Sequence, residues 1–176
     1  VDGLSGAYSM AVTPDGKHLY VGGIGDDAVA VFSRNSTTGA LTFLEVQRDG
    51  VAGDDPFHGI LSMTISPGGE HLYVGAEFDN SVAVFSRDST TGALTFVEDQ
   101  RDGEGGVDGL FGPRLVTVSP DGKKLVYAEN KMQLMISDTE GSSPRKLYAA
   151  VERPFYNWSP DSQWLVASFK DSYDNW

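Results

Sequence analysis

Residues 9–50 read SMAVTPDGKHLYVGGIGDDAVAVFSRNSTTGALTFLEVQRDG, and residues 62–103 read SMTISPGGEHLYVGAEFDNSVAVFSRDSTTGALTFVEDQRDG. The two segments are 53 residues apart, and 29 of their 42 aligned positions are identical. A fixed period of this length is typical of stacked supersecondary units, each too small to bury its own apolar faces. The prolines that open the first turn of each unit continue the period more weakly: Pro14, Pro67, Pro120 and Pro160.

Each unit contains apolar runs separated by turn residues. In the first unit the runs predict strands at 9–13, 18–23, 28–34 and 41–47. Within the third run, Val29 and Val31 point to one face and Phe32 to the other, so both faces are apolar. Two apolar faces require a neighbouring sheet on each side, as in the blades of a β-propeller. The predicted core between blades is Leu19, Val21, Val29, Val31 and Phe32 with their copies Leu72, Val74, Val82, Val84 and Phe85.

The remaining sequence follows the same plan with shorter turns. A third unit has predicted strands at 114–118, 124–129, 132–137 and 145–149, with Asn130 and Lys131 as a hairpin turn. A fourth unit has predicted strands at 155–159 and 164–169, and residues 170–176 leave no room for a complete third strand. We therefore predict an all-β, nearly helix-free repeat domain of about three and a half four-stranded antiparallel blades. The predicted blades are residues 1–53, 54–106, 107–150 and 151–176, the last being incomplete.

Composition disfavours several classes of function. The formal net charge is −12, which disfavours nucleic acid, because phosphates need clustered Lys and Arg, and disfavours anionic membranes. The chain has no cysteine, which removes disulfides, thiolate metal sites and cysteine nucleophiles. No apolar run approaches the roughly 20 residues that span a bilayer. No phosphate-binding glycine loop is present, and we predict neither a cofactor nor a metal.

Four side chains break the repeat near predicted strand ends and are the candidate binding residues. His58 has no copy in the first unit and lies in the connection to an innermost strand, whereas His18 and His71 are copies of each other. Glu77, Arg114 and Glu129 are also unrepeated, and each is open to interpretation as a solvated or locally paired charge. His58 has no identifiable partner in the sequence, so no catalytic residue is predicted.

Acidic and amide residues recur in the second turn of the first two units. One such turn supplies about two of the six or more oxygens that calcium requires. We therefore interpret these side chains as turn-forming rather than as metal ligands. They are Asp26, Asp27, Asp79 and Asn80.

The phrases PDGKHLYV, DDAVAVFSR and TTGALTFLEVQRDG, with their second copies, resemble the lactonase-type seven-bladed propellers, the family of 6-phosphogluconolactonase and carboxymuconate-cyclase-like proteins. This resemblance covers roughly residues 1–112. The phrases SPDGKKLVYAENKMQLMISDTEGSSPRKLYA and NWSPDSQWLVASF, within residues 113–176, resemble the propeller repeats of TolB and tricorn-type proteins. The change of style predicts a chimera, a designed protein or a fragment of a longer propeller.

The resemblance implies a sugar-lactone hydrolase, but no serine, histidine and acid triad has support in the sequence. Our interpretation is therefore a non-enzymatic scaffold or binding module, with a lactonase-like hydrolase and a TolB-like interaction module as alternatives. Because an open arc of blades exposes apolar faces, we predict self-association or a protein partner, and neither nucleic acid nor membrane. The compartment is not determined, and the family resemblance is compatible with a soluble periplasmic or secreted protein.

Overall fold

The computed structural model describes residues 1–48, 57–105, 107–129, 133–139, 144–149 and 152–170. These residues form strands throughout, joined by turns whose tight bends are made by glycines with positive φ, such as Gly16 and Gly69. The strands are β1 (Ala7–Val12), β2 (His18–Gly23), β3 (Ala28–Arg34), β4 (Leu41–Arg48), β5 (Ile60–Ile65), β6 (His71–Ala76), β7 (Ser81–Arg87), β8 (Leu94–Arg101), β9 (Arg114–Val118), β10 (Lys124–Glu129), β11 (Gln133–Asp138), β12 (Arg145–Ala149), β13 (Glu152–Trp158) and β14 (Leu165–Lys170).

The strands assemble in sequence order into antiparallel sheets. Three sheets have four strands each: β1–β4 is blade 1, β5–β8 is blade 2 and β9–β12 is blade 3. Strands β13 and β14 pair as a two-stranded fourth unit. No helix occurs among the described residues, so none of them forms a helix that could cross a membrane. The prediction of an all-β fold of four-stranded antiparallel blades is confirmed.

The observed strand bounds agree closely with those predicted from the sequence. The largest differences are at first strands, where β1 begins at Ala7 rather than at residue 9, and β13 begins at Glu152 rather than at residue 155. Strand β1 ends at Val12 rather than at residue 13, and the Thr13 hydroxyl accepts a hydrogen bond from the His18 backbone N–H across the turn (3.1 Å). The predicted turn at 130–131 and residues 171–176 lie outside the described residues.

Successive blades pack face to face, with their first strands side by side. Strand β1 contacts β5, and β5 contacts β9, as at the centre of a propeller. One core lies between blades 1 and 2, where Tyr20 and Val29 of blade 1 meet Leu72 and Phe85 of blade 2. A second core lies between blades 2 and 3, and a third joins blade 3 to the fourth unit. All ten core residues predicted from the repeat are buried.

The antiparallel order gives every blade two distinct ends. The upper end carries the connections from one blade to the next and the turn between second and third strands. The lower end carries the turn between first and second strands and the turn between third and fourth strands. Each Pro-Asp or Pro-Gly turn therefore lies at the lower end, and each pair of Asx residues after a second strand lies at the upper end.

Candidate functional site

The four candidate residues share the upper end of the blades. His58 precedes β5 and Arg114 begins β9, so both lie where a first strand starts. Glu77 follows β6 and Glu129 ends β10, so both lie where a second strand finishes. Because first and second strands are antiparallel neighbours, these four positions meet at one end of the sheets.

His58 is held by the second turns of two blades. Its backbone N–H donates to Asp79 Oδ2 of its own blade (2.6 Å). Its Nε2 lies 3.5 Å from Asp27 Oδ2 of blade 1. The ring packs edge-on against Phe78, with centroids 5.0 Å apart. About half of the side chain remains exposed (53%), so the imidazole is oriented by protein and still reaches solvent.

Asp27 is placed by the same turn chemistry that the sequence suggested. Its φ of +45° is a left-handed conformation that Asx residues tolerate, and its Oδ1 accepts the Gly59 N–H (2.8 Å). Its copy Asn80 makes the equivalent bond to Gly112 N–H (2.9 Å). These residues therefore bind the connection of the following blade, and at Asp27 the second oxygen also faces His58.

Glu77 and Arg114 form an ion pair across blades 2 and 3. Glu77 is the more enclosed partner, and its backbone N–H donates to the Gly59 carbonyl (2.9 Å), which places it beside the His58 segment. Arg114 is followed by Leu115, whose φ of +53° is unusual for a bulky residue. The pairing of β9 with β10 shifts register at this point. The same kind of shift occurs where β1 pairs with β2 and where β5 pairs with β6, so it is a feature of the blade, and Arg114 is an unrepeated side chain at this position.

Glu129 is buried at the end of β10. It follows Ala128, which is the β10 partner of Arg114 in the sheet. It also lines a cavity of about 320 Å³ together with Asp102, Asp108 and Gln133. The Asp102 carboxylate is already engaged, since its Oδ1 accepts the N–H groups of residues 109 and 110. The structure thus pairs His58 with Asp27 and Glu77 with Arg114, and places Glu129 at the neighbouring cavity.

The arrangement supplies the elements of acid–base chemistry. A histidine held by a carboxylate has its tautomer and ring orientation set, which suits a general base. A guanidinium held by a glutamate can stabilise negative charge that develops on an oxygen. Within the described ranges, no group of three or more His, Asp or Glu residues is arranged to hold a metal ion.

Asp27 is the site residue that sequence reasoning missed. It was interpreted only as a turn former, and it lies 31 positions from His58 in the chain. No sequence signal links the two residues, because the contact forms only when the second turn of blade 1 lies against the connection to β5 of blade 2.

A family profile and individual proteins match parts of this chain. The profile described as "Lactonase, 7-bladed beta-propeller" matches residues 2–111 and 62–137. A 6-phosphogluconolactonase of Formosa agariphila is 34% identical over 87 residues, covering 47% of this chain and 22% of that protein. A protein of Sulfurisphaera tokodaii assigned as a tricorn-like protease C-terminal subunit is 29% identical over 62 residues, covering 33% of this chain and 7% of that protein.

Solved structures agree on the fold. A protein of Bacteroides uniformis assigned as a 6-phosphogluconolactonase superposes with a TM-score of 0.70 at 22% identity, covering 94% of this chain and 48% of that chain. The periplasmic gluconolactonase of Pseudomonas aeruginosa superposes with a TM-score of 0.61 at 26% identity, covering 80% of this chain and 38% of that chain. This chain therefore spans less than half the length of each of these proteins.

The comparisons correct the functional interpretation drawn from the sequence. The non-enzymatic scaffold is contradicted, because the matching relatives include several named as 6-phosphogluconolactonases. They favour the alternative, a lactonase-like hydrolase. The reason is physical, because the sequence shows no triad and the His58–Asp27 pair forms only when blades 1 and 2 pack together.

Proposed function

The chain belongs to the lactonase family of seven-bladed β-propellers, and from this membership we propose that its upper end hydrolyses the ester bond of a sugar lactone. The proposed substrates are six-carbon sugar lactones, with or without a 6-phosphate, in line with the names of the relatives. The observation that carries the proposal is the His58–Asp27 pair, at 3.5 Å, on the end of the blades that also holds Arg114.

The proposed mechanism assigns a role to each of the paired residues. Asp27 faces Nε2 of His58 and favours the tautomer that carries its proton there, which leaves Nδ1 as the basic nitrogen. His58 removes a proton from the attacking water as the carbonyl carbon of the lactone becomes tetrahedral. Arg114, held by Glu77, stabilises the negative charge on the carbonyl oxygen. The ring C–O bond then breaks, and the leaving oxygen takes the proton from His58 to give the open-chain hydroxy acid.

Hydrolysis assays above the spontaneous rate test this proposal. The substrates are glucono-1,5-lactone and its 6-phosphate, followed by acid release at constant pH. His58→Gln should lower kcat by roughly 10²–10⁴-fold, the usual contribution of a general base. Arg114→Ala should lower kcat/KM by about 10²–10³-fold, as for loss of an oxyanion-stabilising donor.

The matched control is His71→Gln. His71 is exposed, lies at the lower end and is the same residue type, so its replacement should leave hydrolysis unchanged. If the wild-type chain shows no hydrolysis of either lactone above the spontaneous rate, the proposal is wrong. Equal losses in the His58 and His71 variants would also reject it, since they would indicate a general effect on folding.

A further inference from the structure

The repeat allows every residue of blade 1 to be compared with its own copy in blade 2. Blade 2 uses the lower part of one face to receive blade 1, and there Met63 and Leu94 are almost fully buried, at 6% and 5% exposure. Their copies in blade 1, Met10 and Leu41, are 68% and 49% exposed. Val12 and Phe43 are exposed in the same way. We call these four side chains of blade 1 the lower patch.

The lower patch is bordered by an arginine whose copy is part of a contact between blades. Arg87 of blade 2 donates through Nη1 to the Gly69 carbonyl (3.0 Å) and through Nη2 to Asp15 Oδ2 of blade 1 (3.3 Å). Arg34 is the copy of Arg87, and its Nη1 makes the equivalent bond to the Gly16 carbonyl (3.1 Å). Among the described residues, no carboxylate lies within ion-pair distance of Arg34.

The space around one glycine of each blade also differs between blades 1 and 2. A Cβ built on Gly92 would lie 2.3 Å from the ring of His18, because blade 1 fills that space. A Cβ built on its copy, Gly39, meets no atom within 4 Å. Blade 1 therefore has the same kinds of residue with which blade 2 receives its neighbour. Among the described residues, no other blade packs against them.

The fourth unit presents part of the surface that a blade places against its neighbour, the part that belongs to the first turn and the second strand of a blade. Its turn repeats that of blade 1: the Ser159 hydroxyl donates to Asp161 as the Thr13 hydroxyl donates to Asp15. Asp161, Trp164 and Val166 thus occupy the positions that Asp15, His18 and Tyr20 occupy in blade 1. All three are exposed, Trp164 and Val166 at 72% and 71%.

We propose that two copies of this chain bind head to tail, with the fourth unit of one copy docked on the lower patch of the other. Asp161 pairs with Arg34, and Trp164 and Val166 cover the lower patch beside Gly39. The contact would repeat the part of the contact between blades 1 and 2 that Asp15, His18 and Tyr20 make, in which Asp15 pairs with Arg87. Both copies carry a formal charge of −12, so an arginine opposite an aspartate would set the register against a background of repulsion. A contact of this heterologous kind closes a ring of two or extends into a chain.

The molar mass in solution tests the contact, measured by light scattering from low to high micromolar concentration in buffer of physiological ionic strength. The wild-type chain should exceed 18.9 kDa. Arg34→Asp and Asp161→Arg should each raise the dissociation constant at least about tenfold, because each places like charges together. Mixing the two variants in equal amounts should restore association, since every contact in a mixed pair then joins opposite charges.

Controls separate docking from general effects of charge and folding. Arg145→Asp and Glu104→Arg change the same charges at other exposed positions and should leave association intact. Because Arg34 also bonds Gly16, Leu41→Asp provides a second test at an exposed side chain, with Val97→Asp as its control at an exposed position of β8. A wild-type chain that stays at 18.9 kDa throughout overturns the proposal. Association that survives both charge reversals, or that the mixture does not restore, overturns it as well.

Discussion

Nη2 of Arg87 lies 2.8 Å from Nδ1 of His18, across the boundary between blades 2 and 1. An arginine is always protonated and can only donate, so Nδ1 must accept and the imidazole is neutral with its proton on Nε2. Burial, followed by the positive charge of Arg87, lowers the pKa of His18. The copy of this histidine, His71, is exposed, and Gly68 stands where blade 1 has Asp15. One residue type thus has two environments within the same repeat.

The His18 contact predicts a loss of stability on mild acidification. Because the folded pKa of His18 is below its ordinary value of 6.5, the unfolded chain takes up a proton first as the pH falls below about 6.5. The free energy of unfolding should therefore decrease from pH 7 towards pH 5. His18→Gln should flatten this decrease, and His71→Gln should not. Urea denaturation at a series of pH values measures the difference, and parallel profiles for wild-type and His18→Gln would contradict the assignment.

Protonation of Asp15 should cause a second loss of stability, at lower pH than that of His18. The Thr13 hydroxyl, the Lys17 N–H and Arg87 lower the pKa of Asp15 from 3.8 to about 2. A carboxyl with a lowered folded pKa stabilises the protein above its unfolded pKa, and this contribution disappears as the pH falls from about 3.8 towards 2. Asp15→Asn should reduce the pH dependence of unfolding in that range. A variant whose profile between about pH 4 and pH 2 equals that of the wild-type chain would show that Asp15 is not the group responsible.

A substitution at Phe85 tests how much the packing of the core between blades 1 and 2 contributes to the free energy of unfolding. Its ring is 2% exposed and lies edge-on against Phe57 and Phe96, at 5.5 and 5.7 Å. Phe85→Ala should lower the free energy of unfolding by about 3–5 kcal/mol, the usual cost of emptying a packed aromatic site. Val97→Ala, at an exposed position of β8, is the control and should have little effect. A loss below about 1 kcal/mol at Phe85 would show a loosely packed interface.

Much of the fold could be predicted because the blade is a local unit. Turn residues and the alternation of Val29, Val31 and Phe32 are read within one repeat, and β2 and β3 occupy the predicted residues. The candidate positions could also be found, because His58 and Arg114 break a repeat that is otherwise regular. Their partners could not be predicted, since the contact between His58 and Asp27 depends on how neighbouring blades are placed.

Asp27 can be tested as a positioning residue for His58. Asp27→Asn keeps an oxygen to accept the Gly59 N–H but removes the charge facing the imidazole, so the backbone should be retained. If hydrolysis depends on this pair, kcat should fall by about tenfold or more, with KM little changed. Asp79→Asn is the matched control, because Asp79 binds the His58 N–H and not its ring. Equal effects of the two substitutions would assign Asp27 a structural role only.

Removing the hydroxyl should change stability differently at two buried tyrosines, Tyr20 and Tyr127. The Tyr20 hydroxyl donates to the Gly92 carbonyl of blade 2 (2.8 Å), and burial raises its pKa to about 12. The Tyr127 hydroxyl is buried with no hydrogen-bond partner among the described residues, and burial with the nearby Glu129 carboxylate raises its pKa. Tyr20→Phe leaves a buried carbonyl unsatisfied and should cost about 1–3 kcal/mol of stability. Tyr127→Phe removes an unpaired polar group and should leave stability unchanged or higher. Chemical denaturation of both variants checks this, and a loss at Tyr127 as large as that at Tyr20 would mean that its hydroxyl is bonded in solution.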